Sequence, residues 1–338
     1  AYFEGVLAAA CSTLVSVDAS ARCRFTVLDC GLTRAQIAAL RESFGRLAAE
    51  RRGHAELAFL PVGLERFRGG LAFCAGPAAP YARILAPELL SADEAVWIDA
   101  DILVFSDLTR IWRELDRSAL IAGVPDPVVG TLDGDPSCAH LEAGDRRYVN
   151  SGLLWMNLAA MRAEGFVREA LRFAEVRRES PVYADQSIFN ALTIGRRSLL
   201  AAHWNQLFQE PTSLGALLAM IGTGNPHFAR KEKPWLNGYR HDLLVRDFFF
   251  FHVLRYLAGG APVRKSASLA RPPSRRRAWF QHRRSLCTGN RRKTRRWADC
   301  RAALRELEEP ELAQARIIER LEAWRGRAAP AGGGMLYG

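Results

Sequence analysis

The first 125 residues alternate short apolar runs with amphipathic stretches, and this alternation limits the possible folds more than any other feature of the chain. Arg24-Phe25-Thr26-Val27-Leu28-Asp29, residues 57–62, Ala95-Val96-Trp97-Ile98 and residues 120–124 read as buried strands. Between them, residues 6–17, Thr33 to about Arg52, residues 81–90 and Asp107 to about Asp116 read as helices. Thr33 with Gln36 three residues later forms a capping-box pattern. Strands alternating with helices predict an α/β fold with a mainly parallel sheet covered on both faces.

After Asp126 the pattern changes. Residues 127–145 read as a Gly-, Pro- and Asp-rich loop, and 148–156 as a strand. Asn157 is placed to cap one long helix to about residue 179; further helices are predicted after Asp185 and over 242–257. From Gly259 the apolar content falls, which predicts a boundary near 260. Residues 1–260 then form the main domain and 261–338 a basic appendage. Within the appendage, 261–296 reads as linker, and 297–327 as one amphipathic helix or two interrupted at Pro310.

Charge follows the same division. Of a net +11, residues 261–338 carry 19 Lys and Arg against 7 Asp and Glu, while the first 260 residues carry 28 against 29. A basic appendage on a neutral body points to an anionic surface as partner. The longest apolar runs, 6–17 and 248–257, are too short to cross a bilayer, and residues 1–20 lack the basic start of a secretory signal. The sequence begins with Ala1, not Met. Seven scattered cysteines without a C-x-x-C pair argue against a disulfide framework or a zinc site, and fit reduced thiols in a cytoplasmic protein.

Two acid triplets occur, Asp99-Ala100-Asp101 and Asp133-Gly134-Asp135. The second lies in the Gly/Pro loop, where short acids favour turns. The first sits between Val96-Trp97-Ile98 and Ile102-Leu103-Val104-Phe105, where carboxylates are costly to bury without a cation or dense hydrogen bonding. It also stands at the carboxyl end of a predicted parallel strand, where open α/β sheets bind ligands. A hard divalent ion, Mn²⁺ or Mg²⁺, suits such oxygen donors. The alternative is that both acids only cap the following turn.

Val96-Trp97-Ile98-Asp99-Ala100-Asp101-Ile102-Leu103-Val104 resembles the hydrophobic D-x-D segment of glycosyltransferase family 8, which includes bacterial lipooligosaccharide galactosyltransferases and glycogenins. Four more segments match in order: Tyr81-Ala82-Arg83, Asn150-Ser151-Gly152 through Asn157-Leu158, Asp185-Gln186 with Asn190, and His227-Phe228 with Lys233-Pro234-Trp235. Together they cover about residues 2–257. The resemblance implies a GT-A fold, with a Rossmann-like, mixed and mostly parallel sheet. It also implies retaining transfer of galactose or glucose from a UDP-sugar to a glycan or glycolipid hydroxyl, in cell-surface polysaccharide or lipopolysaccharide synthesis.

By the same resemblance, Asp99, Asp101 and His227 would ligate the metal, while Lys233, Arg83 and Ala100 would face the nucleotide-sugar. Asn150, Asp185 and Gln186 would meet sugar hydroxyls, with Gln186 at the reacting face and no nucleophile assigned. Each has a plainer reading: a structural histidine, surface cations, or an Asp185-Gln186 helix cap. Asp126 is open between acceptor contact and a turn with Pro127.

Two departures stand out. The family opens with a strand carrying a base-binding Asp followed by Asn-Tyr. This sequence starts at Ala1-Tyr2-Phe3, within that element, so the first strand and part of the nucleotide site are expected to be lacking. Tyr2, or alternatively Phe3, remains as a stacking platform for the base. Arg230 also replaces the glycine expected three positions after His227.

Residues 264–301 hold 14 Lys and Arg against one acid, Asp299, interleaved with Trp279, Phe280 and Trp297. This suits the anionic inner face of a membrane, with nucleic acid a lesser possibility and a solvated tail the bland one. Competing readings of the whole chain are a sugar nucleotidyltransferase, for which no Gly-rich nucleotide loop is present, and a catalytically impaired binding protein.

Overall fold

The computed structural model describes residues 2–51, 54–63, 79–142, 144–176, 183–208, 212–236, 240–259, 263 and 265–328. Cys74 and the expected boundary at 260 lie outside them. The expected βα alternation opens the chain: α1 (Phe3–Ser16), β1 (Cys23–Asp29), α2 (Arg34–Ala49) and β2 (Ala55–Pro61). Thr33 and Gln36 close the capping box at the start of α2, which satisfies two amides that the first helical turn would otherwise leave bare. A 3-10 turn (Ala79–Leu85) runs into α3 (Ala86–Leu89) and β3 (Glu94–Ile98). Asp107 caps a second 3-10 turn (Leu108–Arg113) before β4 (Ile121–Pro125).

Strand β5 (Val149–Asn157) is the centre of the main sheet, which has the order β3-β5-β4-β6, with β6 at Arg197–Leu199. β5 is antiparallel to both β3 and β4, whereas β4 and β6 are parallel. The sheet is therefore mixed, and the strand carrying the acid triplet has an antiparallel neighbour. Parallel pairing holds instead for β1 with β2, and for β7 (Gln206–Leu207) with β8 (Pro226–His227). Asn157 caps α4 (Leu158–Ala163). The expected long helix is split there, because Gly165 takes φ of +68° between α4 and α5 (Phe166–Val176), a conformation open to glycine at no steric cost. α6 (Asp185–Leu192) and α7 (Leu214–Met220) follow.

α8 (Leu244–Ala258) is apolar around most of its circumference and buried along nearly its whole length, as a helix enclosed on all sides must be. The segment read as linker is helical. α9 (Ala267–Ala270), α10 (Arg275–Cys287) and α11 (Arg291–Glu306) are followed by α12 (Pro310–Ala328), which opens at the proline expected to interrupt it. Ala278, Cys300, Ala303, Ile317, Leu321 and Trp324 enter the same apolar cluster as α1, α2 and α8. The Trp324 ring stands edge-on to Phe105, with centroids 5.1 Å apart. Basic composition masks α9, α10 and the start of α11, where small residues such as Ala278 make the buried face and arginines crowd the outer one, while α11 and α12 are the two helices expected around Pro310.

β1 and β3 each pair on one side only among the described strands. Their other edges line one cavity of about 780 Å³, together with a stripe of α1 (Val6, Ala9, Thr13 and Val17). Among the described residues, no helix is long and apolar enough to cross a membrane.

Candidate functional site

Beyond β3 the chain is held by main-chain bonds on both sides. Asp99 N donates to Gly152 O at 2.8 Å, and Phe228 N donates to Asp101 O at 2.9 Å. An antiparallel bridge pairs Ile102 with His227. This bridge brings β8 alongside the acid triplet, so donor atoms of Asp99, Asp101 and His227 all lie within 4.8 Å of one another. His227 Nε2 is 3.3 Å from Asp101 Oδ1, and both side chains are buried. Gly152 makes room for the imidazole: a Cβ there would stand 2.3 Å from His227 Cε1. Two carboxylates and an imidazole converging on one point are a donor set that fits Mn²⁺ or Mg²⁺.

The acids are compensated by cations already in place. Arg83 Nη2 donates to Asp99 Oδ1 at 2.7 Å, Nη1 donates to Ser151 O, and the guanidinium lies over the Trp97 ring at 5.0 Å. Trp97 Nε1 adds a bond to the same Asp99 oxygen at 2.8 Å. Lys233 Nζ donates to Asp101 Oδ2, and to Phe228 O at 3.1 Å. Burial works against an ionised Asp101, yet His227 and Lys233 outweigh it and hold its carboxyl well below the usual carboxylate range. Burial likewise opposes the charge on Arg83, and Asp185 and Asp99 reverse that effect.

A second group of side chains faces the same space. Ala184, in the left-handed region at φ of 52°, is the one non-glycine residue with positive φ among the described residues, and it opens α6 immediately before Asp185. Asp185 Oδ2 lies 2.8 Å from Arg83 Nε, but off hydrogen-bond alignment. Burial therefore dominates: despite Arg83, and helped by Asp99, it lifts the Asp185 carboxyl to about 6. Gln186 Oε1 accepts from Ser151 N at 2.9 Å, and Gln186 Nε2 donates to Asp126 Oδ2 at 3.1 Å. Asn150 Nδ2 donates to the same Asp126 oxygen at 2.8 Å. Asp126 Oδ1 accepts from Val128 N and Val129 N, so Asp126 is a turn residue that also fixes two amides.

Arg83, Asp99, Asp101, Asn150, Asp185, Gln186, His227 and Lys233 thus line one polar cleft of about 330 Å³, which Asp126 also borders. Tyr2 and Ala100 border the larger cavity beside Asp99, Asp101 and Lys233. Tyr2 is exposed with its ring 5.9 Å from Trp235, whereas Phe3 packs into the core; of the two, Tyr2 borders that cavity. Ala229, not Arg230, borders the cleft. The other triplet is structural: Asp133 pairs with Arg146 at 2.7 Å, and buried Asp135 accepts from Tyr148 Oη at 2.7 Å. Sequence reasoning missed Asn205, whose Oδ1 lies 2.8 Å from His227 Nδ1; it belongs to none of the recognised segments.

A mixed sheet flanked by helices, with an acid triplet at the end of one strand and a polar cleft around it, is the GT-A arrangement. Residues 77–238 match the model of glycosyl transferase family 8. General stress protein A of Bacillus subtilis is 27% identical over 194 residues, 53% of this chain and 65% of that protein. Glycosyltransferase GlyF of Streptococcus pneumoniae is 24% identical over 161 residues, 46% of this chain and 37% of that protein. The matches thus span less than two thirds of these relatives. The galactosyltransferase LgtC, crystallised with donor and acceptor sugar analogs, shares the fold at a TM-score of 0.59 and 22% identity, over 80% of this chain and 96% of that one. The bifunctional glycosyltransferase WbbM does so at 0.60 and 18%, over 77% of this chain and 48% of that one.

The lifted Asp185 carboxyl gives a stability signature. Ionised Asp185 is disfavoured in the fold, so it contributes no penalty below its unfolded value near 4 and its full penalty above about 6. Asp185→Asn removes that titration. Urea unfolding should show the variant gaining on the parent as pH rises from 4 to 7, by up to ~3 kcal/mol for a shift of about two units. A constant difference across that range would refute the assignment.

Proposed function

We propose that the protein is a metal-dependent retaining hexosyltransferase that moves galactose or glucose from a UDP-sugar to a hydroxyl of a glycan or glycolipid. One observation carries this reading: the Asp99–Asp101–His227 donor set opens into the cleft that also holds Asp126, Asn150, Asp185 and Gln186. Asp99, Asp101 and His227 hold the cation, which when bound supplies charge neutralisation for a diphosphate and Lewis acidity toward the leaving group. Lys233 adds a point charge on the phosphate side, and Arg83 keeps Asp99 and Asp185 oriented. Tyr2 offers an exposed ring to the base. Gln186 stands on the sugar side with both amide groups engaged, its oxygen by Ser151 and its nitrogen by Asp126. An amide oxygen committed in this way is a poor nucleophile, which favours front-face displacement over a covalent glycosyl-enzyme.

Asp101→Ala removes one ligand and the ion-pair partner of Lys233. Mn²⁺-dependent release of UDP from UDP-galactose or UDP-glucose should fall at least ~100-fold, on the scale of losing a group that stabilises developing charge. Parent-like turnover in the variant would refute the metal assignment, and would favour the non-enzymatic reading if neither protein turns over.

We also propose that the helical appendage docks the enzyme on an anionic membrane face, on the cytoplasmic side where lipid-linked acceptors are built. Trp279, Phe280 and Leu286 on α10 are 49%, 58% and 52% exposed, three of six large exposed hydrophobics among the described residues. Arg276, Arg283 and Arg284 share the outer face with them. Deleting the appendage would also remove core residues such as Ile317 and Leu321, so point variants are the sound test. The double variant Trp279→Ser/Phe280→Ser should sediment less with phosphatidylglycerol vesicles at low salt than the parent does. Equal sedimentation would refute the docking face.

A further inference from the structure

His227 has two ring nitrogens, and only the one facing Asp101, Nε2, points at the donor set. Whether Nε2 carries a lone pair depends on where the ring's proton sits, and that is settled three hydrogen bonds away. Asp126 Oδ2 is a carboxylate oxygen and can only accept, so Asn150 must turn its NH₂ toward it, at 2.8 Å. The Asn150 carbonyl then faces the other way, where it accepts from Gly152 N at 2.9 Å and from Asn205 Nδ2 at 2.8 Å. With its NH₂ spent on Asn150, Asn205 presents its carbonyl to His227 Nδ1 at 2.8 Å. A carbonyl accepts only, so Nδ1 must be the protonated nitrogen. Every amide orientation in the chain follows from the carboxylate at its head, and all four side chains are buried.

We infer that Asn205 is a positioning residue: through a one-way hydrogen-bond chain anchored on Asp126, it fixes the His227 tautomer that leaves Nε2 able to ligate a divalent cation. This rests on the metal site proposed above. Outer partners of ligating histidines act in this way generally, fixing both ring orientation and basicity. The chain also joins the two halves of the cleft, because the Asp126 oxygen that orders Asn150 holds the Gln186 amide as well.

Two readouts test the inference. In the full chain without metal, long-range ¹⁵N–¹H correlation of the imidazole, at a pH where the ring is neutral, should show His227 protonated at Nδ1. Asp126→Asn should admit the other tautomer, since an amide can donate to Asn150 as well as accept. In Asn205→Leu, Mn²⁺ binding followed by electron paramagnetic resonance, without nucleotide, should weaken ~10–100-fold while the thermal midpoint stays within a few degrees. A neutral His227 protonated at Nε2 in the parent would overturn the inference, whether or not Mn²⁺ binds. So would parent-like Mn²⁺ affinity in a folded Asn205→Leu. Failure of the parent itself to bind Mn²⁺ would instead strike the proposed metal site, and the tautomer result would still stand alone.

Discussion

Burying carboxylates at the end of an apolar strand is the constraint around which this site is organised. Asp101 is nearly inaccessible and Asp99 only partly open, between apolar runs that contribute no polar side chains to them. An uncompensated buried charge costs several kcal/mol, so the fold must bring cations to it. It brings the cations Arg83 from before β3 and Lys233 from beyond β8, and sets the His227 ring beside Asp101 from β8 itself. Each is fastened by further bonds, to Ser151, Phe228 and Asn205 respectively. The geometry of the donor set is a consequence of that compensation.

The same economy explains the other half of the cleft. Asp126 fills one oxygen with the main chain of its own turn and the other with two side-chain amides, so a single residue serves as turn, anchor and orienter. Asp185 is less well served. Its nearest cation is close but poorly aligned, which leaves a buried carboxyl that resists ionisation beside a cleft meant for polar ligands. Unpaired polar atoms of that kind concentrate where a ligand completes the hydrogen bonding.

Much of this was legible in the sequence. The alternation of periods predicted β1 to β4, and the Thr33 and Asn157 caps were read from residue chemistry alone. The family segments named Asp99, Asp101 and His227, which the fold brings within 4.8 Å of one another. What escaped has physical causes. Strand direction could not be read from β5, because a strand buried on both faces is apolar in either direction. α9, α10 and the start of α11 were hidden because Ala278 buries little apolar surface and arginines dominate the count, whereas the pair broken before Pro310 was expected. Asn205 carries no periodicity and no motif; its role comes from lying between Asn150 and His227 in space. The helix expected through 157–179 broke at Gly165, a residue whose positive φ has no signature beyond its identity.

Whether Asp99, Asp101 and His227 form one cation site can be seen by diffraction. Crystals of the full chain soaked in Mn²⁺ and UDP should give an anomalous difference peak bonded to carboxylate oxygens of Asp99 and Asp101 and to His227 Nε2, with Lys233 displaced from Asp101. A map with no peak there, or with its strongest peak elsewhere such as Asp133, would contradict the claim.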